Sequence, residues 1–168
     1  MRRLVSGLVL GVFLLSVVLA ACSGSTTGAS GEPGRRFQDM WEISQIEKQF
    51  HQAQTTKNID QMMSLYAPNA TMTVGPGVTA SGVDEIRSFW LDDSAPFKEE
   101  NAWLSDHPAY KLEVTVNGDR GTLHFECHYV DVETGEVVSA TAGDFDVARI
   151  DGKWLITNFV GATTVLEA

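Results

Sequence analysis

His124, Glu126 and His128 stand two residues apart within a run rich in β-branched and aromatic residues. In an extended chain that spacing puts all three side chains on one face. Imidazole and carboxylate are the ligand types of zinc sites. Same-face neighbours on a strand lie ~6.6–7 Å apart, however, so three in a row do not converge on one ion. No metal and no other cofactor is therefore expected. The alternating residues Leu123, Phe125, Cys127 and Tyr129 are the apolar face that must be buried. The histidine face then looks outward, to solvent or to a second copy of the chain. Cys127 reads as a buried thiol acting as a small hydrophobe. Its sequence neighbour His128 points to the other face, so Cys127 lacks the adjacent base that a nucleophile requires. His107 lies in a loop and is the candidate acid/base, because imidazole titrates near neutrality. His51 is expected on the exposed side of a helix. With Gln54 it flanks that helix's buried stripe, within reach of a cavity. The chain carries no Gly-rich phosphate loop, no Ser–His–Asp motif and no internal repeat.

These residues need elements to hold them. Ile43, Ile46, Phe50 and Ala53 recur every three or four residues and predict a first helix from Phe37 or Asp39 to about Thr56. Asn58 can cap a second, short helix carrying Ile59, Met62, Met63 and Leu65. Pro68 ends it, because proline lacks the N–H and pushes Ala67 out of the helical region. A strand follows at Ala70–Val74, with a brief return at Val78–Ala80. Ser81-Gly82-Val83-Asp84 has the form of a capping box and opens a third helix to about Leu91. Asp92 to Pro108 shows no period and reads as a long loop. Four strands then follow: Tyr110–Val116, Thr122–Val132, Val137–Ile150 and Trp154 to about Val165. Asn117-Gly118-Asp119, Glu133–Glu136 and Asp151-Gly152-Lys153 are their turns. Gly143 is the natural bend in the long third strand of the four. Helices first and an antiparallel meander after make an α+β plan.

The chain is acidic, with 22 Asp and Glu against 12 Lys and Arg, a net charge of −10. That balance repels nucleic acid, so no nucleic-acid partner is expected. The 168 residues suffice for one domain with a core. Arg2 and Arg3 precede an apolar run from Leu4 to Leu19, too short and wrongly flanked for a settled membrane span. It ends in Leu19-Ala20-Ala21-Cys22, which resembles the lipobox of bacterial lipoproteins. The resemblance implies cleavage before Cys22 and diacylglyceryl attachment to its sulfur. Two or three acyl chains anchor durably, at about 0.8 kcal/mol per buried methylene. The expected division is residues 1–21 as signal peptide, 22–36 as lipidated Cys22 and a Gly/Ser-rich tether, and 37–168 as the folded domain. The expected location is the extracytoplasmic side of a cell membrane.

The domain also resembles a known superfamily. Asn58-Ile59-Asp60 with Leu65-Tyr66-Ala67-Pro68-Asn69-Ala70-Thr71, Gly82 with Ile86 and Phe89-Trp90, and Asp151-Gly152-Lys153-Trp154-Leu155-Ile156 are similar to NTF2-like, SnoaL-like and ketosteroid-isomerase-like proteins. The likeness runs from about Trp41 to Leu166. It implies an α+β cone: three N-terminal helices on a strongly curved, mostly antiparallel sheet, open at one end to a pocket. In ketosteroid isomerases of this group a base carboxylate, a tyrosine and a protonated aspartic acid do the work. Counting from the shared motifs, those positions hold Val74, Phe50 and Asp144. The first two cannot transfer a proton, so isomerase chemistry is not implied. Asp144 has a plain alternative as a hydrogen-bonded residue at the bend beside Gly143. Related dehydratases and cyclases pair a histidine with an aspartate, which makes His107 and Asp144 the candidate catalytic pair.

By direction, Phe50, Met62, Tyr66, Trp90, Phe125 and Asp144 should line the pocket, with Trp103 and His107 near its mouth. Aromatics with one or two polar groups suit a small apolar ligand. They suit a filled core equally well. The function expected is binding of a small hydrophobic ligand or a protein partner without catalysis, with homodimerisation through the sheet face as a further possibility. A dehydratase, isomerase or cyclase acting on a polyketide- or steroid-like substrate is the alternative.

Overall fold

The computed structural model describes residues 32–101, 103–105 and 109–165. Three helices come early: α1 (Glu32–Thr55), α2 (Ile59–Met63) and α3 (Val83–Asp92). Strands β1 (Tyr66–Val74) and β2 (Val78–Ser81) lie between the second and third. A 3₁₀ turn (Ala95–Phe97) and a short β3 (Trp103–Ser105) follow α3. Strands β4 (Lys111–Asn117), β5 (Arg120–Asp131), β6 (Val137–Ile150) and β7 (Lys153–Val165) complete the chain. The sheet runs β2-β1-β7-β6-β5. Beyond β5 its edge is shared: β4 pairs with the first part of β5, and β3 with Tyr129–Asp131. All pairings are antiparallel except that of β1 with β7. The α+β plan with early helices on a mostly antiparallel sheet is thus the observed one.

The alternation read from β5 decides which face is buried. Leu123, Phe125, Cys127 and Tyr129 are buried, as are Phe145 and Val147 on β6 and Ile156 and Phe159 on β7. Helix α1 lays Ile43, Ile46, Phe50 and Ala53 onto that face. Phe50 is the centre of an aromatic cluster, with Trp90, Phe125, Phe145 and Phe159 at centroid separations of 5.1–5.9 Å. Edge-on and tilted pairs of this kind add about 0.5–1.5 kcal/mol each beyond area burial. The far end of α1 is fastened by Asp39, buried, which accepts from Arg149 on β6. The same guanidinium lies 4.6 Å from the Trp154 ring.

Local departures from the sequence reading have physical causes. Helix α1 starts at Glu32, so residues 32–36 are helical rather than tether. Pro33 is tolerated in a first turn, and Arg35 reaches Asp39 and Asp119. The α3 cap is Gly82 at φ 80°, without a side-chain bond from Ser81; instead Glu85 accepts from the Ser81 backbone N–H at 2.8 Å. The Asn58 cap forms as expected, accepting from Gln61 N–H at 3.0 Å. Strand β1 begins before Pro68, and its pairing with β7 shifts register between Tyr66 and Thr71, where a residue without an N–H is harmless. The stretch read as loop contains β3, which covers the edge that β4 leaves bare. Gly143 marks a close approach: a Cβ there would lie 2.4 Å from the Phe125 ring. The register shift of β6 against β7 falls later, between Asp146 and Val147.

Candidate functional site

A cavity of about 350 Å³ opens between α1, the end of α3 with the 3₁₀ turn, and the buried face of β6 and β7. Phe50, Phe89, Trp90 and Phe159 form its apolar walls. Its polar groups include Gln54, Tyr129, Thr141 and Ser94. They are ordered: the Tyr129 hydroxyl donates to Gln54 Oε1, and Thr141 bonds Thr163 at 2.9 Å. Asp93 is the charged residue on the described wall. A second depression of about 560 Å³ around the β4–β5 turn, lined by Asn117, Arg120, Asp146 and Val147 among others, shares no lining residue with this cavity.

Behind the cavity wall lies a polar relay. Glu47 and His51 are one turn apart on α1 and hydrogen-bond at 2.6 Å, Oε1 to Nδ1. The other ring nitrogen, Nε2, lies 3.1 Å from Cys127 Sγ on β5. All three side chains are buried, His51 and Cys127 completely. Where the carboxylate accepts this bond, Nδ1 carries the proton. In the neutral ring Nε2 is then an acceptor aimed at the thiol. Thiol, imidazole and carboxylate in this order form the arrangement that activates a nucleophile. Thr141, which lines the cavity, is paired directly with Cys127 across β5 and β6. Tyr129 is the next side chain on the same face of β5.

The opposite face of β5 holds a second network. His124 Nδ1 bonds Asp144 at 2.8 Å, and its Nε2 bonds Glu126 at 3.2 Å. Glu126 also accepts from Lys111 at 2.8 Å and from the Tyr110 hydroxyl at 3.0 Å. Lys111, then His124 and Tyr110, hold the Glu126 carboxyl at about 2. The hydrogen bond to Asp144 raises His124 above the ordinary histidine value; burial opposes it, and the Glu126 hydrogen bond then adds to the rise. The His128 ring stacks on Tyr110, with centroids 4.5 Å apart. Among the described residues, no three metal-ligating side chains converge.

The sequence-predicted site residues separate accordingly. Phe50 and Trp90 line the cavity. Met62, Tyr66 and Phe125 do not; they are buried core. Phe125 is covered by Phe50, His51 and Phe145. Burial drives the Tyr66 phenol far up, with Trp90 opposing, so it is a neutral core group. Asp144 is not in the cavity. Its side chain is 66 % exposed on the outer face, paired with His124. Strand parity is the reason: Gly143 and Phe145 point inward, so Asp144 points out. His51 is buried rather than exposed, and it, not His128, is the base beside Cys127. The backbone of Trp103 pairs with Asp131 in β3. His107 and Cys22 lie outside the described residues. Sequence reasoning missed Glu47, Tyr129 and Thr141. A signal existed: Glu47, His51 and Gln54 at i, i+4 and i+7 form a polar stripe amid the apolar positions of α1.

Comparison with known proteins bears on the fold. The model of a family described as SnoaL-like domain matches residues 35–160. A search of the curated proteins found no match. Similar solved structures include a protein of unknown function with a cystatin-like fold from Nostoc punctiforme, at TM-score 0.64 and 18 % identity over 76 % of this chain and 92 % of that one. An NTF2-like protein from Novosphingobium aromaticivorans gives TM-score 0.64 and 17 % identity over 80 % and 86 %. Hexachlorocyclohexane dehydrochlorinase LinA-type3 from Novosphingobium barchaimii gives 0.65 and 16 % over 79 % and 93 %. At these identities the likeness is one of fold.

Proposed function

Because the chain belongs to the SnoaL-like domain family and has the NTF2-like α+β fold, we propose that it binds a small, uncharged, mostly apolar molecule in the cavity beside α1. The observation that carries this reading is the cavity itself: about 350 Å³, walled by Phe50, Phe89, Trp90 and Phe159, with a few ordered polar groups. That is the anatomy of a small-molecule site. The fold alone does not name a ligand. A dehydratase-like use of His107 with Asp144 finds no support in geometry, since Asp144 faces away from the cavity. The test is native mass spectrometry of the chain purified from its own host, followed by titration with N-phenyl-1-naphthylamine, a neutral apolar fluorophore. A bound small molecule and a saturable fluorescence rise that weakens in Trp90→Ala are expected. A bare mass together with no saturable rise overturns the reading.

We further propose that this domain sits at a membrane surface through a lipid on Cys22, on the extracytoplasmic side. The support is the segment ending in Leu19-Ala20-Ala21-Cys22. Along the chain, Cys22 precedes the start of α1 at Glu32 by only ten residues. Phe37 and Trp41, one turn apart on α1, are 72 % and 63 % exposed, and tryptophan favours the membrane interface. Among the described residues no helix is long and apolar enough to cross a membrane. Metabolic labelling with an alkyne fatty acid tests the anchor. The wild-type chain should take the label and Cys22→Ser should not; an unlabelled wild-type chain rejects it. Any second copy is proposed to pack on the outer sheet face around His124 and Glu126, where Val160 is also exposed.

A further inference from the structure

Cys127, His51 and Glu47 form a connected relay that simple ligand binding does not use. A buried cysteine ordinarily needs no partner and packs as a small apolar group. Here its sulfur instead faces an imidazole nitrogen at 3.1 Å, and the imidazole is oriented by a buried carboxylate at 2.6 Å. A carboxylate placed in a core costs free energy unless it is hydrogen-bonded, so a fold that merely needed packing would do better with an apolar residue at position 47. The relay also adjoins the cavity. Thr141 stands opposite Cys127 and lines the wall, and Tyr129 and Gln54 border the relay on β5 and α1.

We propose that Cys127 is a base-assisted thiol that captures uncharged α,β-unsaturated carbonyl compounds entering this cavity. The proposal rests on the cavity being a ligand site. Nε2 of His51 takes the proton from the Cys127 thiol, while Glu47 holds the ring in the tautomer in which Nε2 is the acceptor. The sulfur forms a bond to the β-carbon of the ligand, and the C=C electron pair moves toward the carbonyl oxygen to give an enolate. The proton held on Nε2 then passes to the α-carbon. The net change is addition of S–H across C=C; nothing is oxidised or reduced, and no group leaves. The walls select the class of ligand. Four aromatic side chains favour an apolar molecule, and Asp93, the charged residue on the described wall, repels anions. Thr141 and Tyr129 line the cavity and neighbour Cys127 in the sheet, and the sulfur itself is fully buried, so a ligand must enter through the cavity wall to meet the thiol. Glu47 acts through His51 and is a positioning residue.

The experiment uses the full chain in detergent micelles with Cys22→Ser, which leaves Cys127 as the one cysteine. The probes are 2-cyclohexen-1-one, which is neutral, and 5,5′-dithiobis(2-nitrobenzoate), which is anionic. Adducts are followed by intact mass, in the folded chain and in the same chain unfolded in urea. The folded chain should react with cyclohexenone faster than the unfolded one, and with the anionic reagent more slowly. His51→Gln should lower the cyclohexenone rate about 10²-fold, the lower end of what a positioned base supplies. Glu47→Gln should lower it less, and ¹⁵N NMR of His51 should change from Nδ1-protonated to mixed tautomers, a signature that a purely structural role would not produce. A folded chain that reacts with cyclohexenone no faster than the unfolded one overturns the proposal, even if His51→Gln does not fold. So does a rate indifferent to a folded His51→Gln. If Cys127 is inert while N-phenyl-1-naphthylamine still binds, the thiol proposal falls and the ligand site stands. If neither reacts nor binds, both fall.

Discussion

Strand β5 meets an imidazole–carboxylate network on each of its faces, the inner one supplied by α1, and the two behave as opposites. Inside, His51 joins Glu47 to Cys127 with no exposure of imidazole or thiol. Outside, His124 lies between Asp144 and Glu126, with its side chain 26 % exposed and that of Asp144 66 %. Coulomb's law is the same for both, but water and salt screen only the outer one. The outer groups therefore trade protons with solvent, and their neighbours set where they do so. The inner groups have no solvent to replace a lost partner. They are costly to break and suited to directed proton transfer. Burial, more than residue type, separates a titrating surface from a relay.

The comparison breaks most readily at His51. Replacing it with alanine leaves Glu47 buried without that partner, so urea unfolding at neutral pH should show a loss of about 3–5 kcal/mol. The matching outer change, His124→Ala, should cost no more than about 1 kcal/mol. Equal costs would mean that the two networks are not distinguished by burial. Next in size is Gly143→Ala, which drives a Cβ against the Phe125 ring. Overpacking of this kind costs about 1–3 kcal/mol, readable as a lower thermal midpoint.

The outer network sharpens the contrast through pH. His124 is raised in the folded chain, so its contribution is full below its unfolded value and fades as pH climbs through the folded one. Glu126 is held at about 2, so its contribution is full above its unfolded value and fades as pH falls toward 2. Wild type minus His124→Gln, measured by urea unfolding from pH 5 to pH 8, should shrink as pH rises. A difference that grows instead would reverse the assignment of His124. The smallest effect is expected for Lys111→Ala, whose ion pair with Glu126 is solvent-exposed. Its effect on the thermal midpoint should disappear at high salt.

Much of this was legible in the chain. Alternation of Leu123, Phe125, Cys127 and Tyr129 with His124, Glu126 and His128 told which side of β5 is wet, because side chains on a strand change face at every residue. The Asn58 cap and the bounds of β6 were likewise readable from local chemistry. The same parity rule, applied along β6, would have sent Asp144 outward; counting from family motifs placed it inward. His51 was misjudged because its face on α1 borders both core and solvent, and only the strand it meets decides between them. Strand β3 was missed because three residues have no period to read, and they are ordered by the bare edge of β5.

Local chemistry by itself determined the three helices and the longer strands, their order, the acidic character and the buried face of β5. These depend on neighbours within a few residues, where sterics, caps and periodicity act directly. Tertiary structure decided what meets across the core: Glu47 and His51 with Cys127, Gln54 with Tyr129, and the Phe125 ring against Gly143. Residues 76 positions apart carry no mutual signal along the chain. Their contact follows from the packing of α1 on the buried face of β5.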